Sequence, residues 1–77
     1  MALIRSFERK NMQRNSLHKP IGATYTPFEY DGRVFLQIDS YGTDDREMPG
    51  KKSQTFQLDR EGATALFAIL KREFNLG

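Results

Sequence analysis

"MPGKKSQTFQLDREGATALFAIL", residues 48 to 70, joins a turn, a basic pair, an alternating stretch and an apolar run in one segment. In its alternating part Phe56 and Leu58 fall on one face and Ser53, Thr55 and Gln57 on the other, the period of two that a half-buried strand requires. At Asp59 the period changes. A carboxylate there can accept from the orphan amides of a first helical turn, where the helix dipole favours its charge. Glu61 strengthens that start, and Lys71 and Arg72 place cations where the helix should end, so a helix is predicted over 60–74. Ala63, Leu66, Phe67, Leu70 and Phe74 form one apolar stripe along it, and Ala65 and Ile69 add apolar surface beside the stripe. So wide an arc calls for a second contact surface. Either the N-terminal segment covers it or a second copy packs helix against helix.

Working back towards the N-terminus, "RVFLQIDSY" (33–41) alternates cleanly. Val34, Leu36 and Ile38 share one face, and Arg33, Phe35, Gln37, Asp39 and Tyr41 share the other. Asp31-Gly32 before it is a two-residue hairpin signal, because both turn positions need positive φ. "ATYTPFEY" (23–30) has a strand composition, but Pro27 cannot donate to a ladder and predicts an edge strand or a bulge. "ALIRSFERK" (2–10) reads as a short strand with Leu3, Arg5 and Phe7 on one face, although Leu3, Ile4 and Phe7 would also suit a short helix. "NMQRNSLHKPIG" (11–22) reads as a mobile connection. Residues 1–20 are thus a basic arm, or a first strand plus a connection, ahead of a sheet-plus-helix domain over 21–77.

The chain has 77 residues, enough for one domain with a small core, which makes self-association or burial against a partner a live expectation. It has no cysteine, and His18 is its sole histidine, so neither a disulfide framework nor a structural zinc site is expected. Charges at Arg5, Glu8, Arg9 and Lys10 interrupt any signal-peptide core, and no apolar run reaches membrane-span length. The expectation is a soluble, cytoplasmic protein with no membrane partner. The total charge is +2, but residues 1–20 hold Arg5, Arg9, Lys10, Arg14 and Lys19 against Glu8, a net +4 that leaves −2 for the rest. A basic arm on a slightly acidic body is an asymmetry found in proteins that bind nucleic acid or acidic partners, and equally in disordered tails with no dedicated ligand.

If the two clear strands share a sheet, its face opposite the helix carries Arg33, Phe35, Gln37, Asp39 and Tyr41 beside Ser53, Thr55 and Gln57, with Lys51 and Lys52 at the margin. Aromatics interleaved with cations suit single-stranded nucleic acid, since every base can stack and phosphates follow the charge. The plainer reading is a solvated face whose aromatics are covered by the N-terminal segment. Asp39, Asp44, Asp45 and Glu47 lack the spacing of a calcium loop and read as solvated charges. No nucleophile elbow, P-loop or dinucleotide fingerprint is present, so neither an enzyme nor a cofactor is expected.

The order of the pieces in "YDGRVFLQIDSYGTDDREMPGKKSQTFQLDREGATALFAIL", roughly residues 30–70, resembles the single-stranded-DNA-binding domain of the positive cofactor four family of transcriptional coactivators. The similarity lies in the basic-Val hairpin strand ending in Ile-Asp and an aromatic, the acidic loop, "PGKK", and the acid-capped helix. The resemblance implies an α+β fold with a four-stranded antiparallel sheet and one C-terminal helix (β-β-β-β-α), dimerising through helix and sheet. It implies phosphate contacts at Arg33, Lys51 and Lys52, stacking at Phe35 and Tyr41, and a helix seam at Ala65, Leu66, Ile69, Leu70 and Phe74. The arm residues Arg5, Arg9 and Lys10 would add further phosphate contacts. Gly42 stands where the family carries a second aromatic, Ser40 at a common Arg or Lys position, and Ser53 where Gly is usual. The leading expectation is a homodimeric single-stranded DNA- or RNA-binding protein serving transcription or replication. The alternative is a protein-interaction module or small inhibitor that keeps the fold without the binding face. The two separate on whether residues 1–20 lie across Phe35 and Tyr41.

Overall fold

The computed structural model describes residues 1–41 and 52–77, with Lys52 and Ser53 described by their backbone alone. Its elements are β1 (Ala2–Ile4), β2 (Ala23–Tyr30), β3 (Arg33–Tyr41), β4 (Lys52–Leu58) and α1 (Arg60–Glu73). The strands form one sheet in the order β1-β4-β3-β2, an α+β architecture with the helix last.

Asp31 and Gly32 make the expected turn, with φ of 55° and 73°. That turn sets the register of β2 on β3: Tyr30 faces Arg33, Phe28 faces Phe35, Thr26 faces Gln37 and Thr24 faces Asp39. Pro27 lies on β2, an edge strand, where one side of the backbone needs no partner. On the other side of β3, Leu36 pairs Leu58, Gln37 pairs Gln57, Ile38 pairs Phe56 and Asp39 pairs Thr55, with a register shift between Ser40 and Tyr41.

The expectation of an all-antiparallel sheet is corrected here. β1 runs parallel to β4, with Ala2 facing Phe56, Leu3 facing Gln57 and Ile4 facing Leu58, so the sheet is mixed. Parallel neighbours need a long connection between them, and β1 and β4 lie at opposite ends of the chain with the whole hairpin between. The direction of β1 also brings its end to the start of α1. A Cβ at Gly62 would run into the Ile4 carbonyl oxygen, so the residue there has to be glycine for the two segments to meet.

Asp59 caps α1 as predicted, accepting from the Gly62 N–H at 2.8 Å. The helix ends one residue before the expected 74, with Phe74 as its C-cap donating to Leu70 O at 3.0 Å. Among the described residues Leu58 is the one buried hydrophobic side chain, flanked by half-buried Leu36, Ile38 and Phe56. The helix meets the sheet chiefly at β4. Because its first turn is pressed against Ile4 at the β1–β4 edge, most of the apolar stripe does not reach the sheet. Phe67 and Phe74 are 68% and 70% exposed, and Leu70 is exposed as well. Ala65 and Ile69, on the neighbouring side, line a cleft with Phe7, Glu8 and Arg9 of the N-terminal segment.

Candidate nucleic-acid interface

The sheet has two unlike faces because side chains alternate. Val34, Leu36, Ile38, Phe56 and Leu58 point to the helix side. Phe28, Arg33, Phe35, Gln37, Asp39, Thr55 and Gln57 point to the other, joined by Leu3 through its register with Gln57. On this second face the hairpin places Phe28 and Phe35 against each other, with ring centroids 5.6 Å apart and planes 21° from parallel. The Arg33 guanidinium sits 5.2 Å from the Phe35 centroid, a cation–π contact.

Parallel β1 brings a second guanidinium to the same end of the face. Arg5 Nε lies 3.2 Å and Arg33 Nη2 4.0 Å from one oxygen, Asp59 Oδ2. Asp59 is only 2% exposed, while both arginines are more than half exposed. One carboxylate therefore does two jobs: Oδ1 caps the helix and Oδ2 holds the two cations side by side. An open groove of about 410 Å³ lies here, lined by Leu3, Arg5, Phe28, Tyr30, Asp31, Arg33, Phe35 and Gln57.

The middle of the face is a polar chain. Buried Asp39 accepts from Thr55 Oγ1 at 2.5 Å and from Gln37 Nε2 at 3.0 Å, and Gln57 Nε2 donates to Gln37 Oε1 at 3.0 Å. A carboxylate held in this way is a structural acceptor. Among the described residues no group of three His, Cys, Asp or Glu side chains is placed to hold a metal ion. Asp44, Asp45 and Glu47 lie outside the described residues.

Of the residues singled out from sequence, Arg33, Phe35 and Arg5 come together at one end of the face. Tyr41 shares the face but stands at its far end, six residues along β3 from Phe35, which is roughly 20 Å of extended strand. Its hydroxyl is 3.1 Å from Thr24 Oγ1. Arg9 points elsewhere, to Glu73 of α1 at 3.4 Å, and Lys10 follows it in the same exposed segment. Lys51 lies outside the described residues, and Lys52 is placed as the backbone partner of Tyr41. Of the expected seam, Ala65, Leu66 and Ile69 are half-buried and Leu70 and Phe74 exposed.

Three members of the site were not read from sequence as such. Phe28 was legible in principle: with a two-residue turn at Asp31-Gly32, counting outward from Tyr30 and Arg33 sets Phe28 opposite Phe35. Tyr30 flanks the same turn. The role of Asp59 as counter-ion to Arg5 and Arg33 had no local signal, since it depends on β1 pairing with β4. Among the described residues no helix is long and apolar enough to cross a membrane. In comparisons with family models, curated proteins and solved structures, nothing matches this chain.

Proposed function

We propose that this protein binds single-stranded nucleic acid, DNA in the first instance, on the face of the sheet opposite α1. The observation that carries the reading is the stacked Phe28–Phe35 pair flanked by Arg5 and Arg33 in an open groove. Aromatic rings beside cations give sequence-tolerant stacking together with a salt-dependent phosphate attraction. The course of the N-terminal segment supports this reading over a protein-interaction module. After β1 it turns to the helix, where Arg9 meets Glu73, and Leu3 and Arg5 border the groove. The order of motifs that resembles the positive cofactor four family points the same way, and the reading would put the protein beside transcription or replication, where duplexes open.

The protein works in this reading as a homodimer. A chain with one buried hydrophobic side chain among its described residues, and with Phe67, Leu70 and Phe74 exposed in a row on α1, is under-buried alone. A second copy laid on that stripe would supply the missing core while leaving the aromatic face open. The test is fluorescence anisotropy with a labelled single strand. Phe35→Ala is expected to weaken binding by about 1–3 kcal/mol, the usual worth of one base stack. Arg33→Ala is expected to weaken it and to flatten its dependence on salt. Unchanged affinity and salt slope in both variants would remove the face from consideration.

A further inference from the structure

We infer that the groove between β1 and the β2–β3 hairpin is a subsite for one nucleoside phosphate unit, with the phosphate between Arg5 and Arg33 and the base against the Phe35–Phe28 pair. The inference rests on the single-strand reading and deepens it, by fixing where one unit sits and which strand of the fold builds its seat.

The arginine geometry comes first. Arg5 Nε and Arg33 Nη2 stand 3.2 and 4.0 Å from the same carboxylate oxygen, which limits the distance between these two nitrogens to about 7 Å. Each guanidinium has further N–H donors besides the one turned to Asp59, so one phosphate at the mouth can accept from both arginines, at about 2.9 Å on each side. Arginine forks suit phosphate better than isolated ammonium groups do. The charge of Asp59 is offset at close range by the two arginines on Oδ2, and its other oxygen accepts from Gly62 N–H. Asp31 also borders the groove, so the two arginines are matched by two carboxylates. What draws a phosphate is the pair of guanidiniums more than half exposed at the mouth while Asp59 lies buried behind them.

The aromatic floor is held in place. Phe35 has Phe28 stacked beside it and the Arg33 guanidinium over its ring, so its plane is set before a ligand arrives. Gln57 is oriented from the other side. Asp39 takes the Gln37 amide N–H, which turns Gln37 Oε1 towards Gln57 and commits Gln57 Nε2 to it. What Gln57 offers to a base in the groove is then its acceptor, Oε1, and the second N–H of Nε2. The volume of about 410 Å³ falls within the range of small-ligand clefts, roughly 300–1,000 Å³. Leu3 and Arg5 belong to the N-terminal end of the chain, so the seat exists only while β1 is paired to β4.

The same chemistry can come from a free nucleotide or from one unit of a strand, and titration of the labelled protein separates the two. Nuclear magnetic resonance would follow the Arg5 and Arg33 Nε–H signals and the Phe28 and Phe35 rings. Four ligands are added in turn: thymidine 5′-monophosphate, thymidine, inorganic phosphate and oligothymidylate. The expected result is that the monophosphate and the oligomer both move all four residues, and that thymidine or phosphate alone binds about tenfold more weakly or worse than the monophosphate. Arg5→Gln is expected to cost about tenfold in monophosphate affinity. If the oligomer binds with shifts confined to the Tyr41 end, leaving Arg5 unmoved, the subsite is wrong and the single-strand reading stands. If the monophosphate fills the groove and the oligomer does not bind, the subsite stands and the single-strand reading falls. Silence of all four residues and of the Tyr41 end towards every ligand would overturn both.

Discussion

Replacing Gly62 by alanine sets two effects of opposite sign against each other. Gly62 is in the first turn of α1, where alanine is intrinsically better than glycine by about 1 kcal/mol. Judged by helix propensity alone, Gly62→Ala should stabilise the protein. The structure puts the new methyl into the Ile4 carbonyl oxygen and 3.3 Å from Leu58 Cδ2. The obstacle is backbone, which cannot rotate away as the end of a side chain would, so either β1 or the helix start has to move. Over-packing of this kind costs about 1–3 kcal/mol, which exceeds or cancels the propensity gain. The expected outcome is a net loss of about 0–2 kcal/mol; for a chain of this size each 1 kcal/mol lowers Tm by about 4–8 °C. The assay is urea unfolding at one fixed protomer concentration, since the proposed dimer would make stability concentration-dependent. Gly22→Ala is the control, because nothing lies within 4 Å of its Cβ position, and it should be neutral or slightly stabilising. The displaced β1 would also carry Arg5 out of the groove, so Gly62→Ala should weaken binding to a single strand as well. A Gly62→Ala protein more stable than wild type would refute the docking of β1 against α1, and with it the parallel edge of the sheet.

Asp59→Ala is expected to lose the helix cap and the anchor of Arg5 together, lowering stability by about 1–2 kcal/mol, whereas Asp59→Asn, which can still cap, should recover most of that loss. Urea titration of both variants checks this, and equal stability of Asp59→Ala and wild type would show that the cap and ion pair contribute nothing. Phe67→Asp places a charge on the exposed stripe of α1 and should convert a dimer to monomer by sedimentation while leaving the circular dichroism unchanged. A wild-type protein that sediments as a monomer at the same concentration would dispose of the dimer.

Much of the fold is written locally. Asp31-Gly32 has one good backbone solution, and the alternation of 33–41 decides which side chains face the helix. Asp59 marks the change of period from strand to helix, and each of these appears in the structure as expected. The direction of β1 was not legible, because a three-residue strand carries too little pattern to choose between a parallel and an antiparallel neighbour. Only the meeting of Ile4 with Gly62 reveals the choice. The site divides in the same way. Phe35 and Arg33 were readable from alternation within β3, and Phe28 from the turn that fixes its register. Arg5 was read as one cation of a basic arm, since nothing within 77 residues of sequence announces that β1 would carry it to Asp59. The helix stripe is legible in the sequence as apolar, but how little of it the sheet covers depends on where the helix is pinned, which is a tertiary matter.

The most direct measurement is anisotropy of the wild-type protein with labelled single-stranded and duplex oligonucleotides of the same sequence, at low and at physiological salt. The expected result is tighter binding to the single strand, since stacking on Phe35 and Phe28 needs an exposed base face, with affinity falling as salt rises. Equal affinity for the two forms, or no binding at low salt, would contradict the assignment of this face to single-stranded nucleic acid.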